Sequence, residues 1–256
     1  MKRLEHKIAA ITGAGSGIGR VAAELFAQEG AIVLVLELNA NAANQTVAAI
    51  KSAGGHAVAY PVDISDEQAV CTVFRQIAMD FEGLDILYNN ASVFWGKRDT
   101  SLDALNMDEF ERIVKINLFG LVYCSKYAIP LLQKRGGGSI INTGSSAGVI
   151  GIPKCDAYTA AKGGTVSLTR SMAVEFGPSN IRTNCICPAA IATPMVVESN
   201  LNDPDFDEKA FLEQGTPLRR WGKPEEIAKT ALFLASQDAT YLNGAILVAD
   251  GGITIS

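Results

Sequence analysis

Seven short apolar runs, separated by stretches of helical period, constrain this 256-residue chain more than any other feature. The runs are KIAAIT (7–12), AIVLVLE (31–37), AVAYPV (57–62), LDILYNN (84–90), GSIINTG (138–144), IRTNCIC (181–187) and AILVADG (245–251). Helical spacing of apolar residues lies between them, at 18–29, 41–53, 67–81, 108–134, 158–176 and 224–236. Strands alternating with helices build βαβ units and a parallel sheet covered on both faces. The runs are continuously apolar rather than alternating, as parallel strands buried on both faces should be. No linker-like composition divides the chain and no repeat period is visible, so one doubly wound α/β domain is expected over 1–256. The segment 193–220 is the one long connection without strand character, and connections of that length usually carry function.

Bulk properties exclude several classes of protein. With 48% hydrophobic and 19% charged residues the chain is no disordered polymer. Its 22 basic and 27 acidic residues leave a net charge of −5, which argues against a nucleic-acid partner. The opening MKRLEHKIAAITGAGSG reaches glycines too soon for a secretory signal, and no run suits a membrane span, so a cytoplasmic protein is expected. Five cysteines without C-x-x-C spacing, beside only His6 and His56, suggest reduced thiols and no metal site.

The first run ends in TGAGSGIG, with glycines at 13, 15, 17 and 19. Glycine permits positive φ and close backbone approach. A helix opening near Ile18 directs free N–H groups at the turn, which favours a pyrophosphate there. The second run ends in Glu37, placed to accept hydrogen bonds from an adenosine ribose. Its carboxylate repels a 2′-phosphate, and the neighbouring positions where a cation could offset this hold Ser16 and Leu38. NAD is therefore expected over NADP.

The order and spacing of TGAGSGIG at 12–19, Asp63, NNAS at 89–92, Asn117 in KINLFG, Ser145, YTAAK at 158–162 and the 188–193 segment resemble the classical short-chain dehydrogenases/reductases over essentially the whole chain. The resemblance implies a single Rossmann-type domain with a seven-stranded parallel sheet, moving a hydride between a nicotinamide and an alcohol or carbonyl carbon. It also implies that Asp63 and Ile64 contact adenine, that Asn90 and Ala91 line the cofactor path, and that Pro188, Ile191 and Thr193 lie at the nicotinamide. Gly13, Ser16, Gly17, Ile18 and Gly19 would form the phosphate turn. As a plain alternative, Asp63 caps the helix of ISDEQAV. Two departures stand out: Ser92 and Ala189 occupy positions where the family usually has glycine. Family members are commonly tetramers joined through their long central helices, so a homotetramer is expected.

The chemistry centres on Tyr158 and Lys162, an i, i+4 pair on one helix face. Oxidising an alcohol needs a base for the hydroxyl proton, and lowering a tyrosine from its usual pKa of about 10 to near 7 takes roughly 4 kcal/mol. A cation about 4 Å away at an effective dielectric of 20 supplies about that much, and bound NAD⁺ adds a second. Y-x-x-x-K alone equally fits a surface pair; its place after Ser145 and the glycine turn favours catalysis. Tyr158 is then the acid–base group, Lys162 tunes it and holds ribose hydroxyls, and Ser145, rather than Ser146, steadies the substrate oxygen. Asn117, by the resemblance, holds a relay water.

The expected substrate is a small-molecule alcohol/ketone pair: a neutral secondary or cyclic alcohol and its ketone. Phe94, Trp95, Val149, Ile150 and Ile152 are candidates for an apolar wall, whereas Lys154 and Asp156 suit a sugar or polyol. The 193–220 segment should roof the pocket and is acidic at Glu198, Asp203, Asp205, Asp207, Glu208 and Glu213. That acidity and Glu37 disfavour a 3-oxoacyl thioester reductase. The intact Ser/Tyr/Lys set disfavours a non-catalytic NAD(H)-binding regulator.

Overall fold

A computed structural model of the chain describes residues 2–96, 98–197, 199 and 206–256. Glu198, Asp203 and Asp205 of the acidic segment lie outside the described residues.

All seven expected strands form: β1 (Ile8–Thr12), β2 (Ile32–Glu37), β3 (His56–Pro61), β4 (Ile86–Asn89), β5 (Gly138–Thr143), β6 (Ile181–Pro188) and β7 (Ile246–Ala249). They make one parallel sheet in the order β3-β2-β1-β4-β5-β6-β7. The chain winds outward from β1 in one direction and from β4 in the other. The crevice beyond the carboxyl ends of β1 and β4 is thus a topological switch point, where open α/β sheets place their ligands.

The helices are α1 (Gly17–Gln28), α2 (Ala40–Ser52), α3 (Glu67–Phe81), α4 (Met107–Val114), α5 (Gly120–Lys134), α6 (Asp156–Phe176), the single turn α7 (Pro194–Val196), α8 (Glu208–Gly215) and α9 (Pro224–Ala235). Side-chain alternation in β2 shows why its apolar run is unbroken. Val33 and Val35 enter a core with Phe26 of α1 and Leu232 of α9. Leu34 and Leu36 enter the opposite core with Phe74 of α3, Leu132 of α5 and Met172 of α6. Each such side chain contributes roughly 1.5–3 kcal/mol when fully buried. Continuous burial fails only at the sheet's margins, where Val58 of β3 and Val248 of β7 are exposed because no further strand or helix covers them. Among the described residues no helix is long and apolar enough to cross a membrane.

Two helical expectations change. The stretch 108–134 is two helices, α4 and α5, joined by a π-helical turn at Lys115–Phe119. Such a turn holds an extra residue and commonly marks a functional position; here it contains Asn117. Helix α6 begins at Asp156, two residues before the expected Tyr158, because a remote carboxylate caps it, as described below.

Candidate active site

The glycine turn joins β1 to α1. Gly13 and Gly17 take φ of +63° and +51°, values that favour glycine. Gly19 is required by contact instead: a Cβ there would collide with the Gly13 carbonyl and stand 2.5 Å from Asn90 Nδ2. Ser16 at the N-cap of α1 makes no side-chain bond to the helix, and the first turn carries no acid. The positive end of α1 is left open at a cavity that Ser16, Gly17 and Ile18 line, the environment a pyrophosphate needs. Thr12 braces the turn to the end of β4, its Oγ1 accepting from the backbone N–H groups of Asn90 and Ala91 at 3.0 Å each.

Glu37 closes onto the same turn. Its Oε2 accepts from Gly15 N at 3.0 Å and its Oε1 from Asn39 N at 3.1 Å. Asp63 accepts from the backbone N and Oγ of Ser65, at 2.8 and 2.7 Å. The cap of α3 is Asp66, which accepts from Gln68 N and Ala69 N, so Asp63 is not that helix's cap.

One cavity of about 610 Å³ gathers nearly every residue singled out in the sequence. Gly13, Ser16, Gly17, Ile18, Glu37, Leu38, Asp63 and Ile64 line it, as do Asn90, Ala91, Ser145, Tyr158, Lys162, Pro188, Ile191 and Thr193. Ser92 and Ala189 line it too. Gly19 and Asn117 sit one layer back. Asn117 is buried, and its amide closes a two-bond clamp on Val93: Oδ1 accepts from Val93 N and Nδ2 donates to Val93 O, both at 2.8 Å. Of the expected substrate walls, Trp95 lines the cavity, while Phe94, Val149, Ile150, Ile152, Lys154 and Asp156 do not. Asp156 instead accepts from Leu102 N at 2.9 Å, which ties it to a loop. Arg112, Lys115 and Ile116 line the cavity without having been anticipated. Their i, i+3, i+4 spacing on a helix was the available signal.

Ser145 follows β5 in extended conformation, and its Oγ accepts from Ala147 N at 3.2 Å. Lys162 is 2% exposed, donates from Nζ to the Thr143 carbonyl at 2.8 Å, and stands 5.5 Å from the Tyr158 ring centroid. Burial lowers the Lys162 ammonium to about 8. Burial raises the Tyr158 phenol above its ordinary value, against a smaller lowering by the adjacent Ser145 and Ser92 hydroxyls. The tyrosine thus starts above 10 in the protein alone, so further positive charge is needed to bring it toward neutrality. The Ser92 Oγ is buried without a hydrogen-bond partner among the described residues, leaving a hydroxyl available to a bound group.

Around Tyr158 the walls are aromatic and cationic. Phe94 meets its ring edge-on at 5.0 Å. Trp95 carries Arg112 and Arg98 against its ring, at 4.9 and 5.2 Å. From the 193–220 segment, Thr193, Pro194, Met195 and Val196 reach the cavity, and Ser199 Oγ donates to the Phe94 carbonyl at 2.8 Å. Two of the acids in that segment have structural partners: Asp207 caps α8 through Ala210 N, and Glu208 accepts from Trp221 Nε1 at 2.6 Å.

Residues 13–254 match a family model described as enoyl-(acyl carrier protein) reductase. The chain is 42% identical, over 99% of its length and 93% of that protein, to an uncharacterized oxidoreductase, YxbG, of Bacillus subtilis (strain 168). It is 35% identical to a cyclohexanol dehydrogenase of Acinetobacter sp. (strain SE19), with 98% and 96% of the two chains covered. The crystal structure of levodione reductase superposes with a TM-score of 0.94 at 32% identity, covering 99% of this chain and all of that one, 100%.

Proposed function

The chain belongs to the classical short-chain dehydrogenase/reductase family and is an oxidoreductase, and on that premise we propose that it interconverts a secondary alcohol, cyclic for preference, and its ketone with NAD. The observation that carries this reading is the single cavity that joins an uncapped helix terminus and Glu37 to Ser145, Tyr158 and Lys162. The relative named for cyclohexanol supports the cyclic preference.

The residues present fit a dinucleotide. The open end of α1 suits its phosphates, Glu37 suits ribose hydroxyls, and Asp63 and Ile64 suit the adenine. When bound, the nicotinamide supplies the hydride acceptor for oxidation or the donor for reduction. The protein's part is proton handling and orientation. Ser145 holds the substrate oxygen within reach of Tyr158, and Tyr158 takes the hydroxyl proton in oxidation or returns it in reduction. Lys162, anchored on the Thr143 carbonyl, keeps positive charge near the phenol and favours its ionised form. The Asn117 amide is taken up by Val93 and so fixes the segment next to Ser92. Phe94 and residues 194–196 help exclude bulk solvent, which strengthens these electrostatic terms.

The rival reading is a thioester reductase, which the family model's description favours. Glu37 beside Gly15 argues against it, because that carboxylate stands where a 2′-phosphate would need a cation. A panel of cyclic alcohols, cyclic diols, polyols and hydroxysteroids, read by NADH absorbance, tests the proposal. Turnover should be fastest with a cyclic secondary alcohol and should favour NAD⁺ over NADP⁺. Tight NADH binding with no turnover of any alcohol would overturn it.

A further inference from the structure

Helix α6 begins without a cap of its own. Cys155, at the N-cap position, caps none of the helix's backbone N–H groups; its Sγ meets only the Thr159 hydroxyl of the helix, at 3.7 Å. The missing acceptors come from Asp99, far back in the chain: Oδ1 accepts from Ala157 N at 3.0 Å and Oδ2 from Tyr158 N at 2.8 Å. Asp99 is 2% exposed, and a buried carboxylate persists only where hydrogen bonds and charge compensate it. Here two N–H groups and the positive end of a 21-residue helix do so. One of those N–H groups belongs to the tyrosine itself.

Asp99 also belongs to the loop that forms the aromatic wall. Its own N–H and that of Arg98 donate to the Trp95 carbonyl at 2.9 and 2.8 Å. The loop and helix meet twice more, through Asp156 Oδ2 accepting from Leu102 N and Asp156 N donating to the Thr100 carbonyl at 3.4 Å. Phe94, on the same loop, packs edge-on against the Tyr158 ring. Backbone and ring of Tyr158 are therefore both held from a single segment. We propose that Asp99 is a positioning residue: it locks the first turn of α6 to the 94–102 loop, so that the Tyr158 phenol and the aromatic substrate wall keep a fixed relation to Ser145. It acts through Tyr158 and touches no substrate.

This inference rests on the dehydrogenase reading above. Asp99→Asn keeps the size and one acceptor oxygen, and Asp99→Ala removes both acceptors. Misplacement by about 1 Å can lower a rate on the order of 10²-fold. The expected result is a kcat drop of about 10-fold for Asp99→Asn and about 100-fold for Asp99→Ala, with the Kd for NADH changed less than about twofold. The kinetic isotope effect from a carbinol-deuterated alcohol should rise as the chemical step becomes limiting. Independently of activity, hydrogen exchange at the first turn of α6 should speed up in both variants while the sheet stays protected. A kcat per folded site equal to wild type, or unchanged exchange at residues 157–158, would overturn the proposal. Loss of kcat and of NADH affinity in equal measure would also overturn it, since that marks general unfolding. A wild-type protein that turns over no alcohol removes the dehydrogenase reading as well. Wild-type turnover with indifferent Asp99 variants removes only this one.

Discussion

Lys162 stands 5.5 Å from the centre of the Tyr158 ring, with its ammonium donated to the Thr143 carbonyl at 2.8 Å. The pair lies on one face of α6, yet burial acts on its members in opposite senses, raising the phenol and lowering the ammonium. Burial opposes the charged form of both groups, and catalysis in the oxidative direction uses both charged.

That conflict predicts a trade of stability against activity. The Lys162 pKa is about 8 in the folded protein against an ordinary 10.5, a difference of roughly 3 kcal/mol. A lowered folded-state value means that the unfolded chain binds more protons between those pH values. Stability from this group is then poorest below about 8 and recovers as pH rises toward 10.5. Lys162→Met in the ligand-free protein should be more stable than wild type at pH 7, by up to about 3 kcal/mol. The gain should fade above pH 8 and activity should be lost. Urea melts across pH 6–10 measure this; a variant less stable than wild type at pH 7 contradicts it.

Tyr158→Phe should remove the proton acceptor and leave the fold intact. The expected loss in kcat is about 10²–10⁴-fold, with NADH binding retained by fluorescence titration. Activity within tenfold of wild type would refute the acid–base role.

Burial raises the Tyr158 phenol, and the hydroxyls of Ser145 and Ser92 beside it act in the opposite direction. Replacing Ser92 by Gly, the usual family residue, should let the phenol rise. Alcohol oxidation uses the deprotonated phenol, so the rising limb of its kcat/KM profile should move to higher pH. An unshifted limb in Ser92→Gly would show that this hydroxyl does not reach the phenol.

Glu37 is held by Gly15 N–H and Asn39 N–H, so its carboxylate is fixed beside the glycine turn. Glu37→Ala should weaken use of NAD⁺ and raise the NADP⁺/NAD⁺ ratio of kcat/KM by about 10-fold or more, since buried or half-buried like charges repel by more than 1.4 kcal/mol. An unchanged ratio would take Glu37 out of the specificity argument.

Asn117→Ala should leave Val93 N and O without their two 2.8 Å partners. Each orphaned group costs about 1–3 kcal/mol, so a lower denaturation midpoint and reduced kcat are expected together. Asn117→Asp keeps the acceptor for Val93 N and should fall between the two.

The sheet was legible because its information is local. The alternation of valine and leucine in β2 serves two cores at once, and a continuous apolar run is its direct signature. The glycine turn was legible for a similar reason, since positive φ at Gly13 and Gly17 is written in the residue type. The capping alternative for Asp63 fails by one short step: Asp63 and Asp66 are equally suited in residue type, and only the backbone geometry selects Asp66. The part of the wall expected at Val149, Ile150 and Ile152 was misplaced because those residues neighbour Ser145 and Tyr158 in sequence, while α4 and its π turn neighbour them in space.

The amino-acid sequence by itself determined the βαβ order, the glycine turn, the acid at the end of β2 and the Ser145, Tyr158 and Lys162 set, because each depends on residue type and spacing within one or two elements. The tertiary structure alone decided what surrounds them. It set Asp99 under Tyr158, closed the Asn117 amide on Val93, and brought Arg112 and Trp95 to the cavity. Those pairings join segments separated by 17 to 59 positions, as Arg112 to Trp95 and Asp99 to Tyr158 show. A distant hydrogen bond or ring contact leaves no periodic trace in the chain, because its energy is realised only once the sheet has fixed where each loop returns.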